Sequence, residues 1–279
     1  MSDRAEQKVE ASAAPTVPPS RAWSKARLTG YALMGVWAAA VVGLVLFMAE
    51  SFNPDFIERY GEKFVSGFVV TVELVTISLV VGCLLSLPVA AMRMSRSAIL
   101  NGISYAYVYF FRGTPLLAQT FLVYYGAGTF QPFLKDAGVW WFFRDAWYCA
   151  IFAFSLNTAA YQAEILRGSI QNVSRGQWEA AAALGLHKAV IFWKVILPQA
   201  MIVALRPYGN EIILMIKGSA IASIITIYDL MGETRRAYSR SYDFQAYIWA
   251  AVMYLVLVEA LRQTWDVIEA RLTRHLKRS

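Results

Sequence analysis

Asn157, Tyr161 and Glu164 stand in an otherwise apolar stretch at spacings that place them within about 60° of one helix face. A charge at bilayer depth costs on the order of 3 kcal/mol, so such a stripe turns toward protein interior or water. Either it lines a path and Glu164 offers a negative charge to a cationic solute, or Glu164 merely pairs with Arg167 at i+3. Arg206, Glu211 and Lys217 interrupt a second apolar stretch. Arg206 and Lys217 nearly share a face, whereas Glu211 projects about 140° from Arg206 in a regular helix. Their partners must therefore lie on other helices or in water. Pro207 disturbs the local hydrogen bonding, which is tolerated where backbone lines a cavity. Glu211 and Lys217 are accordingly candidate path residues, with structural bridging as the alternative for Glu211. Arg112, just before Gly113-Thr114-Pro115, marks a kinked or re-entrant piece that bends a helix or gates it. Glu73 and Glu259 have no evident partner and receive no role.

The residues of covalent or metal chemistry are missing from this pattern. His187 and His275 stand alone, and Cys83 and Cys149 fall in apolar runs as small fillers, so His and Cys assemble no metal cluster. There is no Gly-x-x-x-x-Gly-Lys-Ser/Thr loop to cradle a phosphate. The expectation is a chain that moves a solute rather than transforming one, with no evident phosphate cradle of its own.

The elements that position these residues are membrane helices. The 279 residues are 58% hydrophobic and 16% charged, too apolar for an ordinary soluble domain. Apolar blocks at 30–49, 65–91, 113–134, 146–163, 195–228 and 244–258 approach the about 20 residues that a bilayer-crossing helix needs. The fold class is all-α, with six transmembrane helices, since these runs lack the period-two alternation of barrels. The net charge of +7 could suggest nucleic acid, but its placement argues against that partner. With six spans both termini share a side with Arg93, Arg96, Arg167, Arg175, Lys188 and Lys194, and that side holds most of the Lys and Arg. It is expected to be cytoplasmic. Arg235, Arg236 and Arg240 fall on the poorer side and fit this assignment badly. Residues 1–28 are expected to form a disordered cytoplasmic tail ahead of a retained anchor at 29–50. Residues 50–62 read as an acidic outer loop, and Trp140, Trp141, Phe142 and Phe143 as an interfacial belt.

One loop is charged and helix-prone. Ser174 and Gln177 fit a capping box, 180–184 is strongly helical, and Gly185 supplies a left-handed stop. A second amphipathic helix is expected from His187 to Ile196, with Pro198 in the first turn of the next span. This hairpin, 174–198, has the design of a docking handle for something outside the membrane.

The Glu179-Ala180-Ala181 block, Gly185 and Ile196-Leu197-Pro198 resemble the signature EAA loop of type I ABC importer membrane subunits. Three further blocks narrow the resemblance to polar amino acid uptake permeases: Phe111-Arg112-Gly113-Thr114-Pro115-Leu116-Leu117, Ser155-Leu156-Asn157-Thr158-Ala159-Ala160-Tyr161-Gln162-Ala163-Glu164, and Leu197-Pro198-Gln199-Ala200 running to Gly209-Asn210-Glu211. The similarity covers roughly 65–270. It implies a five-helix core at 64–270, with helices near 65–91, 104–127, 146–167, 196–222 and 244–265, so that 29–50 is an added first helix and 271–279 a basic tail. It implies an inner-membrane subunit that is not itself an enzyme. Its expected partners are two ABC ATPase subunits carrying ATP and Mg, a second permease subunit (the same or homologous), and a periplasmic or lipid-anchored solute-binding protein. It also implies that Glu179 pairs with a basic group on the ATPase, that Ala180 and Ala181 allow close approach, and that Gly185 sets the bend. The solute would be a polar amino acid; an opine, methionine or a peptide is the alternative, and an ion-coupled carrier a more distant one. Gly218 follows Lys217 where family members often carry an acid, so substrate contacts are not carried over to that point.

Overall fold

The structure, a computed structural model, describes residues 24–50 and 52–274. The expected tail at 1–28 lies mostly outside the described residues, as does the end of the basic tail. Residues Met1–Phe52 and Asn53–Ser279 form two units. The first contains helix α1, Lys25–Glu50, apolar around its whole circumference and with no buried residue.

In the second unit, α2 spans Pro54–Arg93, 40 residues or about 60 Å. It begins well before the expected residue 65. Asn53 caps it by accepting from the Asp55 amide at 3.0 Å, and Pro54 takes the first turn, where a missing amide is harmless. Asp55, Glu58 and Glu62 thus lie on a helix and not in a loop. Phe56, Tyr60 and Phe64 recur every fourth residue and are buried, which is what extends the helix. The chain continues as α3 (Ala98–Gly113) and α4 (Leu116–Thr129), which divide the expected 104–127 span at Thr114-Pro115. Two short helices follow, α5 (Gln131–Asp136) and α6 (Trp140–Phe143), the latter holding the aromatic belt.

Helix α7, Ala146–Gln171, is the most buried element and packs most extensively on α2. Its interior is built of Ala150, Ala153, Ala159, Ala160 and Ala163, small residues that let backbones approach. Gly82 of α2 completes the contact: a Cβ there would fall inside van der Waals range of Thr158 Cγ2 and 3.2 Å from the Ser155 carbonyl.

The hairpin consists of α8 (Arg175–Ala183) and α9 (Lys188–Val190). Beyond it, a π-helical segment, Ile191–Ile196, runs directly into α10, Leu197–Ser219. The expected separate second arm is therefore the start of one long helix. Pro198 lacks an amide and would crowd the carbonyl four residues back. The widened turn accommodates it, with the Leu197 amide donating to Phe192 O, five residues earlier. The predicted capping box also fails: the Ser174 side chain makes no cap hydrogen bond, and the Gln177 amide donates to the Ser174 carbonyl instead.

A 3₁₀ segment, Ala220–Ile225, ends at Thr226 in the left-handed region. Residues between the apolar blocks 195–228 and 244–258 form helix α11, Leu230–Ser241. Asp229 caps it, accepting from the Gly232 amide at 2.8 Å, and the Leu230 amide donates to Thr71 Oγ1 at 3.0 Å. Phe56, Tyr60 and Phe64 pack on Leu230 and Ala237, so Arg235, Arg236 and Arg240 ride on a helix laid across the end of α2. Helix α12, Gln245–Leu272, closes the bundle.

Among the described residues, four stretches are long and apolar enough to cross a membrane by length and composition: 25–50, 54–93, 188–225 and 245–272. The other two expected spans are the broken α3–α4 pair and α7, which carries its polar residues inward. Gly209 of α10 faces α12, where Trp265 Nε1 donates to Leu205 O at 2.8 Å. A Cβ at Gly209 would lie 2.5 Å from the Trp265 ring. Gly209→Ala is therefore expected to destabilise the protein by about 2 kcal/mol through overpacking, seen as a lower Tm in detergent.

Candidate translocation path and coupling hairpin

The break between α3 and α4 starts from a missing hydrogen. Pro115 has no amide, so the Phe111 carbonyl four residues earlier has no helical donor. Two side-chain amides supply it: Asn157 Nδ2 and Gln119 Nε2 each donate to Phe111 O at 2.9 Å. Asn157 Nδ2 also donates to Gln119 Oε1 at 2.9 Å, and Gln119 Nε2 to Thr114 Oγ1 at 2.7 Å. Asn157 is thus buried, with its amide engaged in fixing the break against α7. Gln119 was missed by the sequence reasoning. Its signal was a lone amide within an apolar run, four residues after a proline.

Glu211 is also buried, and its Oε1 accepts from Thr158 Oγ1 at 2.8 Å, tying α10 to α7. Arg206 pairs with Glu269 of α12 at 2.7 Å. Both partners lie on other helices, as the 140° offset requires. Lys217 is exposed, and Gly218 faces α4, where a Cβ would meet Leu116 at 3.3 Å.

Glu164 is the centre of an ion triad. Arg93 Nε donates to it at 2.9 Å and Arg167 NH2 at 2.6 Å. The i+3 pairing with Arg167 is present, and Arg93 from the end of α2 joins it. Asn101 fixes Arg93 in turn, accepting from its NH1 at 2.8 Å. Two guanidinium groups lie over tyrosine rings beside the triad, Arg93 over Tyr105 and Arg112 over Tyr161, each 5.1 Å from the centroid. These side chains, with Tyr109 and Gly113, line one cavity of about 370 Å³. Of the residues named from sequence, Tyr161, Glu164, Arg112 and Gly113 converge here. Asn157, Glu211, Lys217, Thr114 and Pro115 do not line it.

The hairpin sits at the same end of the bundle. Gly185 has φ +72°, the left-handed stop its position demanded. His187 caps the return, its Nδ1 accepting from the Ala189 amide at 3.3 Å. Ala181 and Ile196 do not face outward: they are buried with Val173, Ile191 and Ala200 against α7 and α2, and Leu197 packs on the same cluster. The expectation that Ala181 meets a partner is corrected; it seats the hairpin on the bundle. Glu179, Ala180, Gly185 and Pro198 remain exposed. So do Leu184, at 78%, and Trp193, at 64%. The tip is therefore apolar and flanked by a carboxylate, on a helix anchored to the bundle.

A family model described as binding-protein-dependent transport system inner membrane component matches residues 82–274. The chain belongs to that family. It is 41% identical over 216 residues to the nopaline transport system permease protein NocM of Agrobacterium fabrum (strain C58 / ATCC 33970), covering 77% of this chain and 90% of that one. It is 37% identical to the arginine ABC transporter permease protein ArtM of Haemophilus influenzae (strain ATCC 51907 / DSM 11121 / KW20 / Rd), over 72% of this chain and 88% of that one. Among solved structures, an amino acid ABC transporter crystallised with histidines aligns at a TM-score of 0.69 and 34% identity, covering 79% of this chain and all of that one. The MetNI methionine transporter, at 20% identity and a TM-score of 0.61, shares the fold. The chain is an inner-membrane permease subunit of an ABC importer for amino acids or opines, and ATP hydrolysis lies in a separate subunit. An ion-coupled carrier is excluded by this membership.

Proposed function

We propose that the cavity bounded by Arg93, Arg112, Tyr161 and Glu164 is a section of the translocation path, and that the solute carries a guanidinium group. The observation that carries this reading is internal. Arg93 and Arg112 each place a guanidinium over a tyrosine, and Glu164 holds the guanidinium groups of Arg93 and Arg167, so the wall is already furnished for that group. A guanidino amino acid or opine displaces one of these arginines, which is then free to meet the solute's carboxylate. The relatives named for nopaline, octopine and arginine systems agree with this chemistry. Methionine is less suited, having no side-chain charge for Glu164 to receive.

The exposed hairpin face, Glu179, Ala180, Leu184 and Gly185, is the docking surface for the ATPase. Two permease subunits, the same or homologous, pair with two ATPases that bind ATP and Mg, and an external binding protein delivers the solute. Both termini and the hairpin face the cytoplasm. The cluster of Arg93, Arg96, Arg167, Arg175, Lys188 and Lys194 at that end supports this orientation.

Tyr161→Ala and Glu164→Gln test the path. Each is expected to lower uptake of labelled arginine or octopine by about tenfold, as loss of one cation–π or charge-assisted contact implies, while ATPase co-purification stays intact. Wild-type uptake in both variants would remove the cavity from the path.

A further inference from the structure

At the end of the bundle opposite the hairpin, a larger cavity of about 680 Å³ opens between α2, α4, the start of α7 and the turn after the 3₁₀ segment. Its walls are aromatic, with Tyr124, Trp147 and Tyr228, and three charged groups reach it: Glu73, Arg144 and Asp145. Asp145 is already engaged as the cap of α7, accepting from the Trp147 amide at 2.9 Å. Glu73 and Arg144 make no side-chain hydrogen bond or ion pair among the described residues. They come from elements far apart in sequence, carry opposite charges and face one space. A carboxylate standing in mid-helix in so apolar a chain is retained at a cost unless something uses it.

Thr226, on the rim, adopts φ +71° although it is β-branched. Strain of that kind persists where the surroundings over-determine it, and it gathers at ligand clamps. The rim residues Thr226, Ile227 and Tyr228 also border a neighbouring cavity that holds Arg235 and Arg236. Arg236 lies 4.9 Å from the Tyr228 ring centroid.

We infer that this cavity is an entry subsite for the main-chain zwitterion of an amino acid, with Glu73 receiving the ammonium group and Arg144 the carboxylate. A site holding one unpartnered group of each sign matches the one feature common to all α-amino acids. Both groups are exposed in this chain, so a solute can reach them. This subsite shares no residue with the cavity around Glu164, and it requires only that amino acids are carried, not that they bear a guanidinium.

Cysteine protection tests it directly. Ala146→Cys, on the cavity wall, is made in a Cys83→Ala background; Val70→Cys serves if that variant fails to assemble with its ATPase. The assembled transporter in phosphatidylglycerol nanodiscs is labelled with a maleimide in the presence of arginine, Nα-acetylarginine or argininamide. Arginine is the probe because the subsite reads only its main-chain charges. Arginine is expected to slow labelling, and each analogue to protect about tenfold less well, as loss of one charge-assisted hydrogen bond implies. Glu73→Gln and Arg144→Gln are each expected to weaken protection by arginine by about the same tenfold while ATPase co-elution persists. The inference is overturned if arginine gives no protection, if all three compounds protect equally, or if protection is undiminished by both substitutions. Protection that is already complete in phosphatidylethanolamine nanodiscs without amino acid would assign the cavity to a lipid headgroup and overturn it too.

Discussion

Gly185→Val is expected to abolish uptake while leaving the chain in the membrane. The space around Gly185 is open, with nothing within 4 Å of an added Cβ, so crowding is not the cause. The backbone is: at φ +72° a β-branched residue carries about 1–3 kcal/mol of strain. The turn relieves that strain by changing its path, which re-aims Leu184 and Leu186 and pulls the exposed tip out of register with whatever covers it. The bundle beneath, seated by Ala181, Ile191 and Ile196, has no reason to move. Labelled amino acid uptake should therefore fall to background and ATPase co-purification should weaken. Gly185→Asn should retain most of both, because asparagine visits the left-handed region readily. Full uptake by the valine variant would reject the role given to this turn.

Gly82→Ala is expected to destabilise the fold strongly, costing about 3 kcal/mol at the upper end of overpacking effects. The added carbon would collide with Thr158 Cγ2, with the Ser155 carbonyl and the Ala159 amide just behind it. Two of these neighbours are backbone and cannot yield. The contact sits where α2 meets α7, so a shift there also disturbs Thr158 Oγ1, which holds Glu211. Thr158→Ser removes the colliding methyl and keeps the hydroxyl, so the double variant should recover part of the lost stability. Thermal unfolding in detergent of the four proteins of this cycle measures the coupling. Equal losses with and without Thr158→Ser would show that the clash lies elsewhere.

The parts of this molecule that were legible in the sequence are those set by local rules. Apolar block length marked the spans, Gly185 marked its own left-handed turn, and Pro115 marked the break. The partners were not legible. Arg93 reaches Glu164 across helices, and Gln119 and Asn157 answer an orphan carbonyl whose position depends on how α4 restarts. Tertiary packing also overrode local reading at both ends of the bundle. The acidic residues after Asn53 looked like loop until Phe56, Tyr60 and Phe64 were seen to bury against α11. Helix α11 itself, rich in arginine, had only Asp229 to announce it. The same distinction explains Ala181 and Ile196: motif membership identified the hairpin, but only the packing told which of its residues face out.

In the proposed mechanism the hairpin is the point where the ATPase acts. The direct measurement is crosslinking from Leu184→Cys, at the exposed tip, in a fully assembled complex that is importing amino acid. The predicted result is a single dominant adduct with the ATPase subunit, whose yield changes between nucleotide-free and ATP-bound states. An actively transporting complex in which that cysteine never captures the ATPase, whatever the nucleotide, would contradict it.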